Sequence, residues 1–257
     1  LEGCRNSGGI YAPTIRYHKG TFYMITTNVT DKGNFVIHTD DINGEWSEPA
    51  WIDQGGIDPS LFWDDDDKCY YCSTGVLDGV RGIVAFEINP LTGEILSDKR
   101  LISEGCGGQC AEGPHIYRKD GFYYLMIAEG GTEYAHRETM QRSDNIYGPY
   151  IPCPHNPIIS HKEYKKSEIQ ATGHADLVED ENGNWWLVFL GIRRFSHALL
   201  HNLGRETFLA PVTWDEEGWP VVGYNGNGTI ELVMDAPLPG SDCADTIANT
   251  VLDKSTG

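Results

Sequence analysis

A chain of 257 residues carrying 38 acidic against 19 basic side chains, a formal charge of −19, repels phosphate. This disfavours nucleic acid and anionic membrane surfaces as partners and leaves neutral ligands such as carbohydrate. With 40% hydrophobic residues the chain can bury a core as one domain; it has no run of about eighteen apolar residues to cross a membrane as a helix, and it is expected to be soluble.

The first residues, Leu1 to Arg5, do not read as a signal peptide but as the middle of a protein. From there, four strand starts follow one another, each leading through a polar turn to an aromatic pair. The first is Gly9-Ile10-Tyr11-Ala12-Pro13-Thr14-Ile15, with the turn His18-Lys19-Gly20 and the pair Phe22-Tyr23. The second is Gly56-Ile57-Asp58-Pro59-Ser60-Leu61-Phe62, which passes through Asp64 to Lys68 and reaches Tyr70-Tyr71. The third is Ala111-Glu112-Gly113-Pro114-His115-Ile116-Tyr117, then Lys119-Asp120-Gly121 and Phe122-Tyr123. The fourth is Thr172-Gly173-His174-Ala175-Asp176-Leu177-Val178, then Glu181-Asn182-Gly183 and Trp185-Trp186.

Each copy predicts a hairpin: a strand, a Gly- or Asp-containing turn and a second strand rich in aromatic and β-branched residues. Further strands are expected at 35–38, 82–88, 205–212 and 218–222, with a tight turn at 89–94. Helical periodicity is scarce, and 30 glycines and 13 prolines punctuate the chain, so the fold class is all-β. The steps from Pro13 to Pro59, Pro114 and the matching Ala175 are 46, 55 and 61 residues, the period of propeller blades rather than of shorter solenoid repeats.

Residues outside these repeats invite simpler readings. The run Asp64-Asp65-Asp66-Asp67 lies between two strands and reads as a solvated turn rather than a metal loop. Seven cysteines cannot all pair within the chain. Cys69 and Cys72 have the Cys-x-x-Cys spacing, but on a strand they point to opposite faces, which argues against a zinc or redox pair. Cys106 and Cys110, in a Gly-rich loop beside Glu112, either fill space or form a short-loop bridge. Asn28-Val29-Thr30 and Asn227-Gly228-Thr229 are glycosylation sequons that matter only in a secreted protein. Residues 236–257, with Pro237, Pro239 and Gly240, read as a linker, leaving 1–235 as the propeller domain.

In a propeller the innermost strand of each blade runs along the common axis, so equivalent positions near its start converge on one funnel. The repeat is expected to put Asp58, Glu112 and His174 in that shared position. Glycoside hydrolysis needs such a set: one carboxylic acid to protonate the leaving oxygen and one carboxylate to activate water or attack the sugar. A neighbouring carboxylate also raises the pKa of the acid by like-charge repulsion. Taken singly, an Asp before Pro is common in turns and a lone His is more often a satisfied core residue; the shared register is what favours function. Asp176, two residues after His174, faces the same side and reads as a structural hydrogen-bonding group.

The series Gly-Gly-Ile-Tyr-Ala-Pro (8–13), Ile-Asp-Pro-Ser-Leu-Phe (57–62), Ala-Glu-Gly-Pro-His-Ile-Tyr (111–117), Ile-Ala-Glu-Gly-Gly-Thr (127–132), Gly-His-Ala-Asp-Leu-Val (173–178) and Leu-Gly-Arg-Glu-Thr (203–207) resembles glycoside hydrolase family 43. The branch resembled is that of β-xylosidases and α-L-arabinofuranosidases, and the match runs in order from about residue 7 to about residue 233. The resemblance implies a five-bladed β-propeller, with four blade starts in this chain. It also implies an inverting glycosidase that cleaves terminal xylose or arabinofuranose from plant-wall oligosaccharides. On that pattern Glu112 is the general acid and Asp58 the carboxylate that tunes its pKa. His174 and Arg193 match the floor of the sugar pocket, and Tyr11, Ile57 and Thr132 match its walls, Tyr11 standing where Trp is usual.

The family's general base is an Asp in a Pro-Asp-Pro-Ser motif on the first blade, a motif this sequence lacks. The chain is therefore expected to be without its first blade, and 236–257 to lead towards a β-sandwich domain outside it. The resemblance also allows a calcium ion on the axis near the histidine. Calcium takes about six to eight oxygen ligands and the sequence shows no such cage, so no metal or cofactor is expected. The expected partner is a xylo- or arabino-oligosaccharide substrate, and a homo-oligomer is compatible with the sequence. The compartment stays open, with cytoplasm favoured over secretion. A sugar-binding propeller without catalysis is the competing reading, which the missing base would suit.

Overall fold

The computed structural model describes residues 7–195, 200–223 and 228–230. Among them the strands form four antiparallel sheets. Blade 1 comprises β1 (Thr14–His18), β2 (Thr21–Asn28), β3 (Gly33–Thr39) and β4 (Ala50–Trp51). Blade 2 comprises β5 (Ile57–Trp63), β6 (Cys69–Leu77) and β7 (Val80–Asn89), with β8 (Glu94–Ile95) and β9 (Arg100–Ser103) both paired to β7. Blade 3 comprises β10 (Glu112–Lys119), β11 (Phe122–Glu129) and β12 (Arg137–Ser143), with β13 (Ile151–Pro152) and β14 (Ile159–Ser160) on β12. Blade 4 comprises β15 (Ile169–Glu179), β16 (Trp185–Arg193), β17 (Glu206–Trp214) and β18 (Pro220–Val222). Each repeat start becomes the first strand of a sheet, and the strands follow in chain order, as in a propeller blade.

Turn chemistry sets these hairpins. Lys19 and Gly20 have φ of 47° and 89°, Asp120 and Gly121 of 51° and 85°, so both central residues are left-handed and the second is glycine. That backbone twists with the flanking strands, which is why it closes two-residue hairpins. Register then shows which aromatic residues are equivalent. Tyr23, Tyr70, Tyr124 and Trp186 pair with Arg16, Phe62, Tyr117 and Val178, and all four are buried. The equivalent residue is thus the second aromatic of the pair in blades 1 and 4, but the first in blade 2 and the residue after the pair in blade 3.

Three apolar cores lie between successive blades. Tyr23, Ile25 and Val36 of blade 1 meet Leu61, Tyr71 and Phe86 of blade 2; Tyr70, Cys72 and Ile83 meet Ile116, Leu125 and Ile127 of blade 3. Tyr124, Met126 and Met140 meet Ala175, Leu177 and Phe189 of blade 4. Each fully buried aliphatic or aromatic side chain contributes roughly 1.5–3 kcal/mol. The period-two alternation along β6 sends Cys69 into the first core and Cys72 into the second, so the two thiols do face opposite ways. The Asp64–Asp67 turn also ties blades together: Asp67 bonds Lys19 of blade 1 at 2.5 Å, and Asp64 accepts from Arg118 and Tyr123 of blade 3.

Among the described residues no such core joins blades 4 and 1. Ile15 and Tyr17 of β1 and Val178 of β15 are 45%, 62% and 48% exposed, along a cleft of about 860 Å³. The described residues thus supply four blades in a ring that is open between the last and the first. The expected linker at 236–257, the end of the expected domain at 231–235 and the sequon residue Asn227 lie outside them.

Candidate active site

The inner strands share one irregularity. Ile57 pairs with Thr74 and Ser60 with Cys72; Glu112 with Ala128 and His115 with Met126; Gly173 with Leu190 and Asp176 with Val188. In each case the inner strand uses three steps where its partner uses two, a β-bulge. Blade 1 repeats it, since the Tyr11 amide donates to the Thr27 carbonyl at 2.9 Å and Thr14 pairs with Ile25. Tyr11, Ile57, Glu112 and Gly173 are therefore equivalent, and Ala12, Asp58, Gly113 and His174 form the next ring.

This corrects the shared position read from the sequence. Asp58 and Glu112 occupy neighbouring slots, because Asp58 stands directly before its proline and Glu112 one residue further back. The counterpart of Asp58 in blade 3 is Gly113. Asp58, Gly113 and His174 have φ of 54°, 54° and 51°, so the bulge residue is left-handed in all three blades. For the two non-glycine residues that conformation costs roughly 1–2 kcal/mol each, a strain typical of functional sites.

The bulges bring three blades to one point. His174 Nε2 lies 3.9 Å from Asp58 Oδ2, and the Gly113 amide hydrogen-bonds the Asp58 carboxylate. A Cβ on Gly113 would sit 2.5 Å from Cδ2 of the His174 ring, so only glycine lets the imidazole lie across blade 3. Asp58 is buried and Glu112 half-buried. Burial pushes the Asp58 carboxyl up from its ordinary value, while His174, the Gly113 amide and Arg205 pull it down. Burial and then the negative charge of Asp58 push the Glu112 carboxyl up; Arg81, 3.6 Å away, and His174 oppose them. A partly exposed carboxyl whose pKa is raised beside a buried one keeps its proton to higher pH than an ordinary glutamate and can deliver it to a bound oxygen.

Deeper along the inner strands, Arg16 of β1 makes a two-pronged ion pair with Asp176 of β15, at 2.6 and 2.9 Å. Arg16 also contacts His115 Nδ1 at 2.9 Å, and the Tyr117 hydroxyl donates to Asp176 at 2.7 Å. Asp176 is thus structural, as the sequence suggested, and a guanidinium already neutralises it. A calcium ion needs an oxygen cage there, and Arg16, His115, Tyr117 and one carboxylate do not fit that requirement.

The remaining expected residues are spread more widely. Tyr11 and Ile57 share the ring of Glu112, with Tyr11 37% exposed. Thr132 is exposed in the turn between β11 and β12. Arg193 ends β16, where Glu206 of β17 holds its guanidinium, with Nε at 3.2 Å. The cation whose charge reaches Asp58 is instead Arg205, just before β17, in the Leu-Gly-Arg-Glu-Thr sequence that the resemblance had marked without using its arginine. Arg81, His136 and Glu138 were also missed; Arg81 follows a hairpin turn at Asp78-Gly79, and no local pattern ties it to Glu112. Cys106 and Cys110 are free thiols, so the short-loop bridge is not formed.

The sequence pattern described as "Glycosyl hydrolases family 43" matches residues 2–220. A non-reducing end alpha-L-arabinofuranosidase from Bacteroides ovatus is 46% identical over 230 residues, covering 88% of this chain and 42% of that protein. A xylosidase/arabinosidase from Butyrivibrio fibrisolvens is also 46% identical, over 244 residues, covering 90% of this chain and 47% of its own length. The crystal structure of a xylan beta-1,4-xylosidase from Bacillus halodurans superposes with a TM-score of 0.80 at 36% identity, over 92% of this chain and 48% of that one. The chain therefore spans about half the length of the relatives it matches.

Proposed function

Because this chain belongs to glycosyl hydrolases family 43, we propose that it carries the acid half of an exo-acting glycosidase that removes terminal xylose or arabinofuranose from plant-wall oligosaccharides with inversion. The observation that carries the reading is Glu112: a half-buried carboxyl whose pKa is raised by burial and by Asp58, at a mouth where three blades converge. Glu112 protonates the departing glycosidic oxygen. Asp58 keeps that proton in place by its charge, and His174 forms the floor of the sugar pocket. Tyr11, Ile57 and Thr132 form its walls, and Arg193 supports the floor from the end of its strand. The named relatives, xylosidases and arabinosidases, support both sugars equally.

Inversion needs a base about 6.5–9.5 Å from the acid with water between them. The reading assigns that base to an Asp in a fifth copy of the repeat, on a blade that closes the cleft between blades 4 and 1. The full-length protein, given aryl β-xyloside and aryl α-arabinofuranoside in parallel, is expected to release the free sugar of at least one with its anomeric configuration inverted. Binding of the sugars with no release from either would instead mark a non-catalytic carbohydrate-binding propeller, and release with retention would overturn the single-displacement mechanism.

A further inference from the structure

The bulge in blade 4 differs from the other two by a hydrogen-bond donor. In blades 2 and 3 the residue after the left-handed position is Pro59 or Pro114, which has no N–H to satisfy. In blade 4 it is Ala175, whose amide lies inside the register shift between Gly173 and Asp176 and so outside the β15–β16 ladder. A buried amide without a partner is costly, so blade 4 needs an acceptor that blades 2 and 3 do not.

Glu138 supplies it from the neighbouring blade. It lies on β12, fully buried, its Oε2 accepts the Ala175 amide at 3.1 Å, and its carboxyl also takes the amide of His174. Among the described residues its Oε1 has no hydrogen-bond partner, so these backbone amides account for a carboxyl in this core. Two residues earlier on the same segment, His136 Nδ1 bonds the Ala171 carbonyl at 3.2 Å, and a Cβ on Gly173 would meet the His136 ring at 2.8 Å. Ala171 and His174, at φ of 52° and 51°, are thus both held in left-handed backbone by side chains from blade 3.

We infer that Glu138 is a positioning residue for His174: by accepting the His174 and Ala175 amides it fixes the backbone from which the imidazole reaches Asp58. This rests on the reading of His174 as the floor of the sugar pocket. Glu138 touches neither sugar nor reacting atoms and acts through the bulge. Burial pushes its carboxyl well above the ordinary range, and an amide oxygen can take its place as the acceptor.

In the full-length protein, Glu138→Leu removes the acceptor at similar volume, whereas Glu138→Gln keeps one. Glu138→Leu is expected to lower kcat/KM on an aryl glycoside substrate by about 100-fold, the scale of a misplaced binding group, while Glu138→Gln stays close to wild type. In a His174→Ala background the Glu138→Leu loss is expected to vanish, and an equal loss in both backgrounds would overturn the proposal. The NMR signal of the His174 ring at fixed pH gives a readout that needs no activity. It is expected to move in Glu138→Asp, whose shorter acid withdraws from both amides, and to stay put in Glu138→Gln. An unmoved signal in Glu138→Asp overturns the positioning role whatever the enzyme does. A moved signal in a protein inactive on every glycoside supports positioning and sinks only the reading of function.

Discussion

His174 Nε2 stands 3.9 Å from Asp58 Oδ2, and the two residues reach each other from blades 4 and 2 across a glycine of blade 3. The glycine is Gly113, where a side chain would collide with the histidine ring. Gly113→Ala is therefore expected to push His174 off Asp58 and cost about 100-fold in kcat/KM. Because the backbone is also left-handed there, some stability is lost too. A thermal melt beside the kinetics separates the two effects, and wild-type kinetics in the folded variant would show that the contact is idle.

The charge of Asp58 should be visible in the pH profile of Glu112. A general acid works only while protonated, so activity falls as pH rises through its pKa. Asp58 raises that pKa, second only to burial. Asp58→Asn is therefore expected to move the alkaline limb of the kcat/KM profile to lower pH. A limb that stays in place, or moves to higher pH, would remove Asp58 from the role of modulator.

The ion pair deeper in the funnel is a stability element. Asp176 loses its guanidinium partner in Arg16→Met while keeping a side chain that is 31% exposed. Solvent screens part of the loss, so the cost is expected at about 2 kcal/mol, read as a shift in urea midpoint. The double variant Arg16→Met, Asp176→Leu should recover part of it, since no charge is then left without its partner.

Acid should weaken the fold early. Burial lowers His115, His136 and His161 from 6.5 to about 4. Between those values the unfolded chain binds protons that the folded chain refuses, so stability is full above about pH 6.5 and falls as pH drops towards 4. These rings alone contribute an uptake approaching three protons on unfolding near pH 5, and the raised carboxyls of Asp58, Glu112 and Glu138, which hold protons in the folded chain, offset part of it. A slope near pH 5 that His136→Gln and His161→Gln leave unchanged would show that these rings are not held neutral.

Much of this architecture was legible in the sequence because the repeat advertises itself: Pro13, Pro59, Pro114 and Ala175 mark equivalent bulges, and Lys19-Gly20 and Asp120-Gly121 mark equivalent hairpins. Asp58, Glu112 and His174 were singled out for the same reason. What spacing could not show was that Glu112 lies one step before Asp58 in register, since a bulge consumes a residue that only hydrogen-bond pairing reveals. Arg81, Arg205, His136 and Glu138 come from outer strands or loops, where nothing in the local pattern says which residue turns towards the funnel. The aromatic pairs misled in a small way too, because strand register, and not position within the pair, makes Tyr70 and Tyr124 the equivalents of Tyr23 instead of Tyr71 and Tyr123.

The central claim is that Glu112 donates the proton. It is tested most directly by Glu112→Gln in the full-length protein, assayed on aryl glycosides whose leaving groups span poor to good. The account predicts a loss of about 100- to 10,000-fold on the poorest leaving group, the range for removing a general acid, and a much smaller loss on the best, which departs without help. Near-wild-type turnover of the poorest leaving group would contradict it.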